Sequence, residues 1–129
     1  MSGLEVEIIG DYAGDPQHLK RLCAAALARK GITDGHLGIE FVDERRITEL
    51  NRRHRGKDEP TDVLSFGVDE AGPPAGPREL GDIVICPVRT AHIGEAVVHG
   101  TLHLMGMDHE TDGGEMLALQ DELLRSQGQ

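Results

Sequence analysis

Wound as a helix, the segment from Ile93 to Met105 is apolar on nearly every side, and its interruptions include two histidines, His99 and His103. A helix without a solvated face belongs inside a core, so the other elements must wrap around it. The chain is 129 residues long, which suits one domain over 1–129 with a single hydrophobic core. Hydrophobic residues make up 38% and charged residues 28%, the balance of a folded globular domain rather than a disordered or membrane chain. With one Tyr, two Phe and no Trp, the core must come from Leu, Ile, Val, Met and Ala, and aromatic platforms for stacking bases are not expected.

Around that helix the periodicities alternate between strand and helix. Val6 and Ile8 alternate with Glu5 and Glu7, predicting a strand over Leu4–Ile9. Pro16, behind Asp15 as cap, opens a helix with Leu19, Leu22, Cys23, Ala26 and Leu27 on one face, ending near Gly31. A strand follows at Leu37–Val42. Asp43 then caps a helix that turns Ile47 and Leu50 inward and its arginines outward. A loop over Gly56–Pro60 leads to a strand at Asp62–Phe66, and the Gly- and Pro-rich stretch 67–79 is expected as a mobile surface turn. Ile83–Ile85 suits a buried strand. Glu115–Arg125 is amphipathic through Met116, Leu119, Leu123 and Leu124. The expected elements of the one domain are thus strands and helices in alternation, with the apolar helix in the core.

The N-terminal sequence lacks a cationic start and a signal-like apolar run, and no stretch approaches a membrane span, so a cytoplasmic protein without membrane contact is expected. Cys23 and Cys86 lie outside any CxxC spacing and read as two buried thiols. The formal net charge is −10, which argues against a nucleic-acid partner until its distribution is considered. Arg45, Arg46, Arg52, Arg53, Arg55 and Lys57 cluster within 45–57, opposed there by Glu49 alone. A local positive patch thus survives the global acidity, while acids crowd the C-terminal end from Asp108 to Glu122.

The chemistry lies in Val98–His109, VHGTLHLMGMDH. Residues four apart share a helix face, so His99 and His103 can aim at one point from adjacent turns. Gly106 can adopt the left-handed conformation that ends a helix, returning His109 toward that point. Three neutral imidazoles suit one zinc ion and leave a fourth position open, the arrangement of catalytic rather than structural zinc. With seven histidines in the chain, a chance triplet at these offsets is expected on the order of 0.02 times. His18, His36 and His54 have no comparable arrangement, and His92 reads as a surface or capping residue.

HxxxHxxGxxH is also the metzincin peptidase spacing, but there a Glu acting as general base follows the first histidine, where this chain has Gly100. Peptide hydrolysis would need another carboxylate, Asp108 or Glu110 being nearest. A phosphodiester substrate instead gathers negative charge on phosphoryl oxygens, which a fixed guanidinium near a metal stabilises; Arg55 is the candidate.

These segments resemble the YbeY family of bacterial endoribonucleases. Leu50-Asn51 through Arg55 with Asp58–Phe66 (DEPTDVLSF), Leu80–Ile85 (LGDIVI) and Val98–His109 follow one another in the family's order. The resemblance implies a compact domain of the α/β (α+β) class, a mixed sheet of about four strands flanked by helices with the metal site at the end of the central buried helix, one Zn²⁺ held by His99, His103 and His109, and an RNA-contacting arginine at Arg55. It also implies cleavage of single-stranded RNA, a part in maturing the 3′ end of 16S ribosomal RNA and in ribosome quality control, and the small ribosomal subunit or its assembly particles as partner. His54 stands where an aromatic is expected, Gly67 where a proline is common, and the interval from Cys86 to His99 is short, so the cleft rim is expected to differ. Two other readings are a zinc peptidase or amidase, and a non-catalytic ribosome-assembly factor braced by zinc.

Overall fold

In the computed structural model, which describes residues 3–67 and 79–127, the alternating segments form one four-stranded sheet. Its strands are β1 (Leu4–Ile9), β2 (Gly35–Phe41), β3 (Val63–Phe66) and β4 (Glu79–Ile85), in the order β1-β2-β4-β3. β1, β2 and β4 run parallel and β3 pairs antiparallel with β4, so the sheet is mixed. A parallel neighbour requires a crossover, and α1 (Pro16–Ala28) supplies it between β1 and β2. The remaining helices are α2 (Glu44–Arg55), α3 (Ile93–Leu104) and α4 (Glu115–Ser126).

Alternation along the strands divides the core in two. Leu37, Ile39, Phe41, Ile83 and Ile85 join Leu19, Leu22 and Leu27 of α1, Val97, Val98 and Leu102 of α3, and Met116 and Leu123 of α4 in the larger cluster. Val84, Cys86 and Leu64 meet Ile47 and Leu50 of α2 in a second one. Each fully buried aliphatic side chain contributes about 1.5–3 kcal/mol relative to leaving it in water, so the apolar α3 is fixed by what surrounds it. Asp15 and Asp43 cap α1 and α2 as expected, accepting from Gln17 N at 2.9 Å and Arg46 N at 2.8 Å.

Element boundaries shift where partners decide them. β4 reaches back to Glu79 because β2 pairs with it from His36 onward. α1 stops at Ala28, three residues before Gly31, because Ile32 N bonds Leu27 O at 3.0 Å and closes the turn early. Of the expected mobile turn over 67–79, residues 68–78 lie outside the described residues. Cys23 and Cys86 are free and fully buried in different clusters. Burial pushes the Cys23 thiol up to about 12, so it stays protonated and inert.

Candidate metal centre and cleft

The end of α3 turns back on itself through Gly106, whose φ is +90°. Gly106 N bonds His103 O at 3.0 Å and Met107 N bonds Leu102 O at 3.1 Å, the paired bonds of a Schellman ending. This reversal sets His109 beside the two helical histidines. One ligand atom from each of His99, His103 and His109 lies within 4.8 Å of the others, a grouping able to hold a metal ion. The ring centroids are 4.7, 5.0 and 5.4 Å apart.

Outer partners orient the rings. His99 Nδ1 donates to Gln120 Oε1 of α4 at 2.8 Å, and His103 Nδ1 donates to Met107 O at 3.0 Å. Because both acceptors are oxygens that require a proton on Nδ1, both Nε2 atoms present lone pairs when the rings are neutral. They face each other at 3.1 Å, close to the roughly 3.3 Å that two nitrogens adopt at about 2.05 Å from one tetrahedral zinc. Burial, then the neighbouring His99, holds His103 below the ordinary histidine value, favouring the neutral form that a ligand needs. Among the described residues, His109 Nδ1 is buried without a hydrogen-bond partner. Two lone pairs in opposition beside an orphaned ring nitrogen fit a bound cation.

Gly100 shows why the residue after His99 is small. A Cβ there would lie 2.8 Å from Ile83 Cγ2 and 3.1 Å from Ser65 Oγ, so position 100 faces the sheet. Ser65 Oγ donates to Gly100 O at 3.2 Å and ties β3 to α3 at this point. A carboxylate at position 100 would collide with the core instead of serving a peptidase reaction.

The three histidines line an open cleft of about 1300 Å³, together with Arg55, His54 and Phe66. Arg55 ends α2, whose C-cap Gly56 has φ +70°. The loop beyond is anchored by buried Asn51, whose Nδ2 donates to Glu59 O at 2.9 Å. The basic patch is less free than its composition implied. Glu49 Oε1 accepts from Arg46 at 3.0 Å and lies 3.6 Å from Arg53, while Arg52 Nε lies 4.0 Å from Asp58. Arg45, Arg55 and Lys57 have no ion pair among the described residues. His92 stands at the N-cap position of α3, exposed and without a side-chain capping bond, and lines the same cleft. Of the surface and capping roles expected for it, the surface one is observed.

Three features escaped sequence reasoning. Gln120 sits four residues after Met116 and three before Leu123, a polar residue on the buried stripe of α4, and that placement was its signal. His36, read as having no arrangement of its own, bridges two carboxylates: Nε2 to Glu7 Oε1 at 3.1 Å and Nδ1 to Glu79 Oε2 at 3.0 Å. Against the expectation from scarce aromatics, the His54 and Phe66 rings pack at 4.6 Å in the cleft.

Fold and site together define a small α/β protein with a metal-competent tri-histidine centre in an open cleft. A model of the endoribonuclease YbeY family matches residues 14–128. Endoribonuclease YbeY of Acinetobacter baylyi is 41% identical, the match covering 92% of this chain and 86% of the relative. That of Moorella thermoacetica is 39% identical over 85% of each. The solution structure of TM1509 from Thermotoga maritima is similar with a TM-score of 0.55 and 29% identity, over 95% of this chain and 88% of that one. The chain belongs to the endoribonuclease YbeY family.

Proposed function

We propose that this chain is a zinc-dependent endoribonuclease that cuts single-stranded RNA, with His99, His103 and His109 as the ligands of one Zn²⁺ and Arg55 as the charge-stabilising group. The observation that carries the reading is the presence of three convergent imidazoles and the Arg55 guanidinium, which has no ion pair among the described residues, in one cleft of a chain from a family named for RNA cleavage. Zinc held by such a set supplies a Lewis acid and lowers the pKa of water toward about 7. The protein's own part is to aim the imidazoles, through Gln120 Oε1 and Met107 O, and to bury His103 so that its neutral form is favoured. Arg55 offers a bidentate fork to phosphoryl oxygens. Arg45, Arg46, Arg52, Arg53 and Lys57 guide the RNA backbone, with Arg45 and Lys57 the readiest to do so.

The cellular duty that follows is ribosomal RNA processing in the cytoplasm, at the 3′ end of 16S RNA, with the small subunit or its assembly particles as partner. No helix among the described residues is long and apolar enough to cross a membrane. The deciding experiment is cleavage of an end-labelled single-stranded RNA by the zinc-loaded protein beside His103→Ala and Arg55→Ala purified identically. Loss of cleavage in both variants is the expected result. Equal cleavage by all three would expose a contaminating nuclease. No cleavage by any, with one zinc bound, would overturn the reading in favour of a different hydrolase or a zinc-braced assembly factor.

A further inference from the structure

Scarcity of aromatics made a stacking platform improbable on composition, yet one of the chain's two phenylalanines lines the cleft beside a histidine ring. Phe66, on edge strand β3, is half-buried and packs against the second core cluster, which fixes its plane. His54, in the last turn of α2, is exposed and lies on Phe66 with centroids 4.6 Å apart and planes tilted by 53°. Neither His54 nitrogen has a hydrogen bond or ion pair among the described residues. The imidazole therefore packs at a tilt against an apolar ring while the rest of its surface stays exposed. Arg55, the next residue in sequence, lines the same cleft without an ion pair among the described residues.

We propose that His54 and Phe66 form a stacking subsite for one unpaired nucleobase, adjoining the Arg55 position that takes the phosphate; this rests on the RNA-cleaving reading above. A nucleotide offers a π-face and an anion together, and the cleft offers a ring pair and a guanidinium within one set of walls. Stacking on protein rings tolerates any base, because every base has a π-face. It requires a base free of its own helical stack, which a duplex withholds and a single strand provides. The subsite thus gives the cleft a physical reason to prefer single-stranded RNA without reading sequence.

The test compares zinc-loaded wild type with His54→Ala, His54→Tyr and Phe66→Leu, using a short single-stranded RNA with 2-aminopurine at one position and the same strand abasic there. His54→Ala is expected to raise KM about fivefold to 150-fold, the cost of one lost stacking contact, with kcat changed less than twofold. His54→Tyr restores KM, Phe66→Leu behaves like His54→Ala, and the abasic strand is as poor for wild type as the intact strand is for His54→Ala. In a His103→Ala background, binding should quench 2-aminopurine fluorescence, and adding His54→Ala should remove the quench. Unchanged KM in both His54→Ala and Phe66→Leu overturns the proposal, as does an abasic strand handled as well as the intact one. Quenching without cleavage by wild type would keep the subsite and sink the nuclease reading, whereas no binding to any RNA would sink both.

Discussion

Helices α2 and α3 are twelve residues each and live in opposite surroundings. α3 buries Val97, Val98, Gly100, Thr101 and Leu102 on several sides, and its two histidines are held by oxygens from elsewhere in the chain. α2 buries only Ile47, Leu50 and Asn51, and its arginines reach into water or toward neighbouring acids. On the reading proposed above, the contrast separates two tasks. Gathering three nitrogens around one ion demands positions fixed to a fraction of an ångström, which a packed helix with outer hydrogen bonds provides. Guiding a flexible polyanion needs charge more than position, and exposed side chains suffice.

The sharpest way to break the contrast is to remove the outer support of α3 while leaving the ligands intact. Gln120→Leu takes away the acceptor of His99 Nδ1 without adding bulk, and zinc affinity measured by competition with a chromogenic chelator should fall about 10- to 100-fold. Affinity within twofold of wild type would mean that packing alone orients the ring.

Next in size is a change to the seat of α3. Gly100→Ala puts a methyl 2.8 Å from Ile83 Cγ2 in a fully buried region. Overpacking of about 1–3 kcal/mol offsets or exceeds the roughly 1 kcal/mol that alanine gains in a helix, so urea unfolding should show a net loss of up to about 2 kcal/mol. Arg45→Ala on exposed α2 should stay within about 0.5 kcal/mol. Equal effects at the two positions would erase the distinction between the helices.

A smaller effect is expected from freeing the arginines of α2. Glu49 engages both Arg46 and Arg53, so Glu49→Gln should tighten RNA binding a few-fold and steepen its dependence on salt by about one phosphate contact. An unchanged slope would show that Arg46 and Arg53 do not meet the backbone.

The smallest effect lies away from both helices, at His36 on the sheet. Its pKa is raised, first by the hydrogen bond to Glu79, against some opposing desolvation, and further by Glu7. Because the folded value exceeds the unfolded one, the bridge contributes its full stability below the unfolded value of about 6.5 and loses it as pH rises through the folded value. The thermal midpoint difference between wild type and His36→Gln should be largest near pH 5.5 and shrink toward alkaline pH, reflecting under about 1 kcal/mol. A gap independent of pH would remove the charged bridge as its cause.

Much of this was legible from local pattern. The capping aspartates, the inward stripes of α1 and α2, and the glycine that reverses the chain before His109 all express rules that act over a few residues. The histidine triad was legible for the same reason, since one helix and one turn hold all three. Legibility failed where partners came from afar. Gln120 is 21 residues from His99, His36 meets acids on two other strands, and the two rings of the cleft come from α2 and β3.

The sequence by itself determined the elements, the metal-competent triplet and the basic helix, because side-chain periodicity, capping and i,i+4 spacing are properties of adjacent residues. Only the tertiary structure decided that position 100 faces the sheet, that an amide orients His99, that His36 bridges two carboxylates and that His54 lies against Phe66. Those outcomes depend on which elements pack together and in what register, and long-range packing is chosen by the whole core rather than by any segment of it.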